Sequence, residues 1–345
     1  MKTKAGGILK ILIFFSIGII LIWLSFKDLS SSDIEKIKQS FVNANYWWLF
    51  LSVLINILSH VIRAQRWKML ARPMGYETKF SNSFFAVMVG YLVNYGVPRL
   101  GEISRCTVIS KYEKIPFTKV LGTVIAERVL DMIFFFIIFM VMILTQYEKI
   151  SNYLSHSIYP PIHDKLLSIS ANKASVTIIS ITGVLLLCLL FFFRKKISNA
   201  LSGKIKNFIK GLSEGLMSVK KVESPINFVF QTALIWILYY LGLHICFYSL
   251  PEFSSFDFDK GLTAFVFGSF TVMITPGGIG AYPYALQKVM FLVYGINEAV
   301  GASLGWLTWV ISFVAIVSTG VMSFVLLPIM NKNYEPRINE SENKA

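Results

Sequence analysis

Apolar runs near 8–26, 46–62, 121–145, 175–193, 225–249 and 299–327 alternate with polar segments. Each is close to the roughly 20 residues a helix needs to cross a hydrocarbon core, so six full spans are predicted. The first begins with Lys2, Lys4 and Lys10 as a signal peptide does. Its apolar stretch is long and no A-x-A cleavage site follows, so it reads as a retained helix. Two further runs, 83–97 and 262–275, are shorter and end in helix breakers, Val97-Pro98-Arg99 and Thr275-Pro276-Gly277-Gly278. Short runs of this kind suit one arm of a re-entrant hairpin. Between 197 and 222, Leu201, Ile205, Phe208, Ile209, Leu212, Leu216 and Val219 share one helical face, opposite Lys206, Lys210 and Lys221. That is the pattern of an interfacial amphipathic helix drawn to anionic lipid.

Charge decides how the short runs are threaded, because Lys and Arg in short loops collect on the cytoplasmic side. The N-terminus, 63–80, 99–119, 194–224 and the tail together hold 24 of the 33 basic residues, whereas 27–45, 146–174 and 250–260 hold 7. A single crossing by 83–97 would flip everything downstream and put the most basic loop, 194–224, outside. Hairpins over about 83–113 and 262–294, the first entering from the cytoplasm and the second from outside, keep every basic segment inside. The expected architecture is an all-α integral membrane protein with six full transmembrane helices and two oppositely oriented re-entrant hairpins. Residues 1–330 form the membrane domain and 331–345 a polar cytoplasmic tail, with both termini inside, in the bacterial cytoplasmic membrane.

The two hairpins resemble each other. Ala86, Gly90 and Pro98 share the spacing A-x3-G-x7-P with Ala264, Gly268 and Pro276, 178 residues later. Three crossings separate them and invert the second, which is the arrangement of inverted-repeat transporters with broken helices meeting at the midplane. Two Pro-kinked helices without a transport role would carry the same spacing.

Composition narrows the field further. At 55% hydrophobic and 15% charged residues, with mean hydropathy +0.62, the chain is unlike a soluble globular protein, and its net charge of +14 is mainly a topology signal rather than a nucleic-acid footprint. Cys106, Cys188 and Cys246 form no CxxC pair and no two histidines stand four apart, so neither a disulfide framework nor a metal site is expected. No cofactor signature occurs, and the longest stretch between spans is too short for a catalytic domain, so the chain is not expected to be an enzyme.

Charged groups beside apolar segments cost about 2.5–3.5 kcal/mol each and need partners or water. One cluster is Pro98-Arg99-Leu100-Gly101-Glu102-Ile103-Ser104-Arg105, where Glu102 and Arg105 stand at i, i+3 and can pair. The other is Glu127-Arg128-Val129-Leu130-Asp131. Their three bases and three acids suit either a buried salt-bridge network or a polar cavity for a charged headgroup, since arginine forms bidentate contacts with phosphate. The half-helices after Pro98 and Gly278 aim their N-termini inward, which favours an anion. Thr275-Pro276-Gly277-Gly278-Ile279-Gly280 supplies flexibility and close approach, without the flanking strand or Lys of a P-loop. Asn94 is placed to bond a freed carbonyl. Gly301 and Gly305 form a GxxxG that close helix packing explains without a dimer.

In these three motifs and their order the chain resembles the flippase-like membrane domain of the lysylphosphatidylglycerol synthases, over roughly 8–328. The family's N-x-x-P-x-R-x-G-E-x-x-R motif falls on Asn94, at longer spacing, and on Pro98, Arg99, Gly101 (shifted by one), Glu102 and Arg105. Its E-R-x-x-D motif falls on Glu127, Arg128 and Asp131, and its P-G-G-x-G motif on Pro276, Gly277, Gly278 and Gly280. Two departures qualify what is carried over. Family members often place a Glu shortly after the last glycine, where this chain has Ala281-Tyr282-Pro283-Tyr284, which argues against an aminoacyl-lipid substrate. The synthases continue into an aminoacyltransferase domain and this sequence stops at Ala345, so lipid aminoacylation is not expected. The resemblance implies a lipid-translocating domain whose partner is a membrane lipid, a phospholipid or an isoprenoid phosphate. The alternative is a non-catalytic scaffold for a separately encoded lipid or glycan enzyme.

Overall fold

The computed structural model describes residues 16–97, 100–147, 210–215, 217–254 and 257–338. The chain divides into two compact units, Met1–Gln146 with Gly211–Ala345, and Tyr147–Lys210. The first contains every element discussed below. The expected span at 175–193 and most of the amphipathic segment 197–222 lie outside the described residues. So do Cys188, Pro98 and Arg99.

The main helices are α1 Ser16–Phe26, α2 Ser31–Asn43, α3 Tyr46–Ala71, α4 Phe80–Gly96, α5 Leu100–Glu113 and α6 Phe117–Thr145. After the break come α7 Pro225–Phe247, α8 Phe258–Ile274, α9 Ala281–Tyr294 and α10 Glu298–Met330. Local chemistry sets several of their starts. Ser30 and Asp33 form a reciprocal capping box on α2, and the Asn45 side chain accepts from Trp47 N at the head of α3.

Among the described residues, four helices are long and apolar enough to cross a membrane: Tyr46–Met74, α6, α7 and α10. On α6, Val129, Met132, Ile133, Phe136, Ile137, Met140, Val141 and Leu144 are all exposed. They recur every three or four residues and form one continuous apolar face, which water would not solvate and lipid does. The chain is a helical multi-pass membrane protein.

Helix lengths repeat along the chain. Long α3 (26 residues) is followed by α4 (17), α5 (14) and long α6 (29). The second series is α7 (23), α8 (17), α9 (14) and α10 (33). The 178-residue interval seen in the sequence carries α4 onto α8 end to end, and an extra three residues at the second break carry α5 onto α9 and the start of α6 onto that of α10. The breaks use one device, because the residue before a proline is pushed out of the helical region. Val97 has φ −140° and ψ 120°, and Thr275 has φ −119° and ψ 156°. Each short pair also packs through the matched small residues. A methyl on Gly90 would sit 3.0 Å from Gly101 O, and one on Gly268 would sit 2.7 Å from the Tyr282 ring and 3.1 Å from Leu286.

The equivalent helices α3 and α7 lie side by side and antiparallel. Asn45 N donates to Ser249 O at 2.9 Å, Ser52 Oγ to Gly242 O at 2.6 Å and Arg66 Nη1 to Thr232 Oγ1 at 2.9 Å, so one number rises as the other falls. The tips of the two short-helix pairs meet where Tyr95, at the end of α4, packs on Gly277. Gly277, Gly278 and Gly280 all have positive φ, of 55°, 71° and 68°, which explains why this break is built from glycine. Trp309 Nε1 donates to Gly277 O at 2.9 Å, and Gly280 leaves room for the α1 backbone at Gly18.

The bases are tied in matching ways. Glu113, the last residue of α5, accepts from Lys79 N at 3.1 Å, Asn82 Nδ2 at 2.6 Å and Tyr334 Oη at 2.9 Å. Asn82 also exchanges amide bonds with Asn331, which follows α10, at 2.9 and 2.6 Å. At the second pair the hydroxyl of Tyr294, the last residue of α9, is hydrogen-bonded to the Thr263 hydroxyl at 2.7 Å and lies 3.2 Å from Gln146 Oε1, while Gln146 Nε2 reaches Asp259. Gln146 follows α6, so each base is held by the residue that ends the last long helix of the other series.

Within the polar segment after α10, residues 331–338 fold back, with Arg337–Ile338 (β2) pairing antiparallel to Tyr76–Glu77 (β1). The amphipathic segment does not stay α-helical to 222, because a 3-10 turn occupies Ser218–Lys221. Its described end docks on protein, with Gly211 and Gly215 against the first turns of α6 and Lys119 paired to Glu214 at 2.9 Å. The GxxxG of α10 packs inside the chain, Gly301 on Gln287 and Gly305 on Pro283.

Candidate functional site

Five of the six charged residues singled out in the sequence converge on one spot. Glu127 and Asp131 stand four apart on α6 and face α3 and α5. Arg105 Nη1 on α5 donates to Glu127 Oε2 at 2.7 Å. Arg128 Nη2 donates to Glu102 Oε1 at 2.8 Å, so Glu102 and Arg105 each pair across to α6. The expected pairing of Glu102 with Arg105 along α5 does not form, because packing offers both residues better-placed partners on the neighbouring helix. Arg99 lies outside the described residues.

The remaining cations come from α3. Arg63 Nη1 reaches Asp131 Oδ2 at 2.8 Å, and Arg66 binds Asp131 Oδ1 and Glu127 Oε1, each at 3.2 Å. These are buried contacts, with Arg66 and Glu127 side chains 0% and 1% exposed. Both arginines look like members of a basic loop in the sequence. The structure extends α3 through them, so two of the residues counted toward cytoplasmic charge neutralise carboxylates inside the bundle instead. Their i, i+3 spacing opposite an i, i+4 acid pair was the signal available. Around them, Arg63 Nε donates to Tyr239 Oη at 3.3 Å, Tyr239 and Tyr91 share a hydrogen bond of 3.0 Å, and His60 packs at a tilt against Tyr91 with ring centroids 4.6 Å apart.

The network is not closed on itself. Four described guanidinium groups face three carboxylates, and Arg105 Nε and Nη2, Arg66 Nε and Glu102 Oε2 are buried without a hydrogen-bond partner among the described residues. An unpaired buried donor of this kind costs about 1–3 kcal/mol, more when charged. Arg105 lines a small cavity of about 20 Å³ together with Arg63, Tyr91, Asn94, Glu102 and Arg128. That space holds about one water, too little for a headgroup in this conformation.

Asn94 acts differently from expectation. Its Oδ1 accepts from Gly101 N at 2.8 Å, capping the start of α5 rather than bonding a freed carbonyl. A helix start leaves N–H groups orphaned, and this is the group nearest the Asn94 amide. Gly101 is required because a side chain there would run into Gly90 O and Asn94. Pro276, Gly277, Gly278 and Gly280 form the second break, on the far side of the Tyr95 contact, and do not join the arginine cluster. Among the described residues no group of three or more metal-ligating side chains occurs.

Fold and site together define a polytopic helical membrane protein with broken helix pairs and a buried arginine–carboxylate cluster. The chain belongs to the lysylphosphatidylglycerol synthase TM region family, whose model matches residues 7–320. A UPF0104 membrane protein of Methanocaldococcus jannaschii is 34% identical over 113 residues, a stretch that spans only 31% of this chain and 34% of that relative. A UPF0104 membrane protein of Pyrococcus horikoshii is 24% identical over 333 residues, covering 88% of this chain and 92% of the relative. No solved structure matches.

Proposed function

We propose that this protein is a lipid translocase that moves a lipid with a phosphate-bearing headgroup across the cytoplasmic membrane. The observation that carries this reading is Arg105, buried beside a cavity, with one N–H group spent on Glu127 and its Nε and Nη2 unpaired in a cluster that holds more cations than anions. A phosphate oxygen would satisfy those donors bidentately. Arg128, half-covered, would meet the headgroup at the edge, and Arg99 would add a further contact. Glu102, Glu127 and Asp131 would orient the arginines or take protons during the cycle. Gly277, Gly278 and Gly280 would let the second tip rearrange so that the small cavity can widen.

The accompanying topology is six full spans with α4–α5 and α8–α9 as re-entrant hairpins from opposite sides, forming an inverted repeat with both termini in the cytoplasm. The antiparallel α3–α7 pair and the contact between the two tips support it, because inverted repeats place substrate at their interface near the midplane. Single cysteines near Lys119 are expected to label only from the cytoplasmic side and those near Asp257 only from outside; the reverse pattern would overturn the orientation.

The function is tested in proteoliposomes carrying fluorescent phosphatidylglycerol or an isoprenoid phosphate. Wild-type protein is expected to expose the inner-leaflet probe to an external quencher, and an Arg105→Lys, Arg128→Lys double variant, which keeps the charge and loses the fork, is expected to lose that activity. Equal rates for the two proteins would remove the site, and no translocation of either lipid by folded wild-type protein would remove the function.

A further inference from the structure

A second, separate cleft of about 370 Å³ opens at the base of the α4–α5 pair, where the returning C-terminal segment crosses the end of α3. Lys68 and Arg72 stand four residues apart near the end of α3, so both cations line the same side, and Lys79 approaches from the residue before α4. Among the described residues Arg72 has only an exposed pairing with Glu223 at 3.8 Å, which holds it weakly. Thr78, 6% exposed, belongs to the same lining, and its buried Oγ1 has no hydrogen-bond partner among the described residues. A buried hydroxyl left unpaired calls for an acceptor, and three cations call for a negative one. Glu77 and Glu335 border the cleft, leaving its lining at a net single positive charge. That suits one phosphate group and disfavours a polyphosphate.

We propose that this cleft recognises a single phosphate monoester, presented either by a lipid headgroup or by a soluble phosphate ester, at the end of the bundle that the proposed topology puts in the cytoplasm. The site is distinct from the buried arginine cluster and goes beyond the translocase reading. It also bears on how the first hairpin is fastened. Lys79 Nζ donates to Met330 O at 3.2 Å and lies over the Tyr334 ring, while the Lys79 amide and Tyr334 hydroxyl both hold Glu113. An anion that draws Lys79 Nζ into the cleft competes with its bond to the end of α10.

The test uses full-length protein in phosphatidylcholine nanodiscs, with hydrogen exchange of residues 76–80 and 331–336 as readout. One arm titrates glycerol 3-phosphate from solution, and the other replaces part of the bilayer with phosphatidic acid. Slowed exchange with glycerol 3-phosphate identifies a soluble ligand, and slowed exchange with phosphatidic acid alone identifies a lipid. In either case Lys68→Gln with Arg72→Gln is expected to abolish the protection. Thr78→Val is expected to weaken affinity about three- to tenfold, the value of one hydrogen bond. Lys111→Gln with Lys114→Gln, which removes the same two charges at the end of α5 and just after it, and Arg105→Lys are expected to leave it intact. No protection by either phosphate, or equal loss in Lys111→Gln with Lys114→Gln, overturns the proposal.

Discussion

Arg105 and Glu127 meet at 2.7 Å with side chains 9% and 1% exposed, and the same carboxylate also holds Arg66 at 3.2 Å. Removing its charge therefore strands the buried Arg105 guanidinium and leaves Arg66 with Asp131 alone. Glu127→Gln is expected to cost about 3–5 kcal/mol, the range for breaking a buried ion pair from one side. Glu102→Gln is expected to cost clearly less, because Glu102 has one charged partner and that partner, Arg128, is 45% exposed. Unfolding of the detergent-solubilised variants, followed by circular dichroism, measures both. Equal losses would contradict the burial argument.

Gly277 has φ 55° and faces the Tyr95 ring, so a methyl there is opposed by the backbone and by the other hairpin's tip. Gly277→Ala is expected to destabilise the contact between the tips and to lower translocation. Gly96→Ala, in a helix with open space around the added methyl, is expected to be neutral or stabilising by up to about 1 kcal/mol. Hydrogen exchange at the end of α4 and at residues 276–280 reports the tip contact, and unchanged exchange there in Gly277→Ala would refute this account.

The cross-tied bases predict a selective response. Asn331→Leu removes the amide exchange with Asn82 and is expected to speed hydrogen exchange at the start of α4, leaving the start of α8 unchanged. Gln146→Leu, which breaks the contacts to Asp259 and Tyr294, is expected to do the reverse. Exchange that rises at both bases in either variant would mean the two pairs do not move independently.

Glu113 is 1% exposed, and burial raises its carboxyl above the ordinary glutamate range, partly opposed by hydrogen bonds from Asn82 and Tyr334. The folded protein thus holds this proton more tightly than the unfolded chain does. The resulting stabilisation is complete below the ordinary glutamate pKa and is lost as pH rises through the raised value. Glu113→Gln stays neutral throughout, so its melting temperature is expected to fall less than that of wild type between about pH 4 and pH 7, a window that starts near the ordinary glutamate value. Parallel profiles would refute the assignment.

Hydropathy and proline placement made much of this legible. The breaks at Val97 and Thr275 are consequences of Pro98 and Pro276 acting on the preceding residue, and Ala86, Gly90, Ala264 and Gly268 announced the repeat because only small residues let two half-helices touch. Arg63 and Arg66 were not legible. Their positions after an apolar run match a basic loop as well as a helix end, and composition cannot say which guanidinium finds a carboxylate. Asn94 shows the same limit at one residue, since its amide could bond either backbone group and only the neighbouring α5 start selected the Gly101 N–H.

What the sequence determined by itself is therefore the membrane class, the four long apolar helices now described, the two broken pairs and their 178-residue interval, since these depend on local hydrophobicity and backbone sterics. Tertiary structure decided the partners. It chose Glu127 for Arg105 over the nearby Glu102, drew α3 arginines into the cluster, ran α3 against α7, and fastened each hairpin base to the far series through Asn331 and Gln146. Such choices rest on distances between segments far apart in the chain, and in a low-dielectric interior a shift of a few ångströms decides which charges are satisfied.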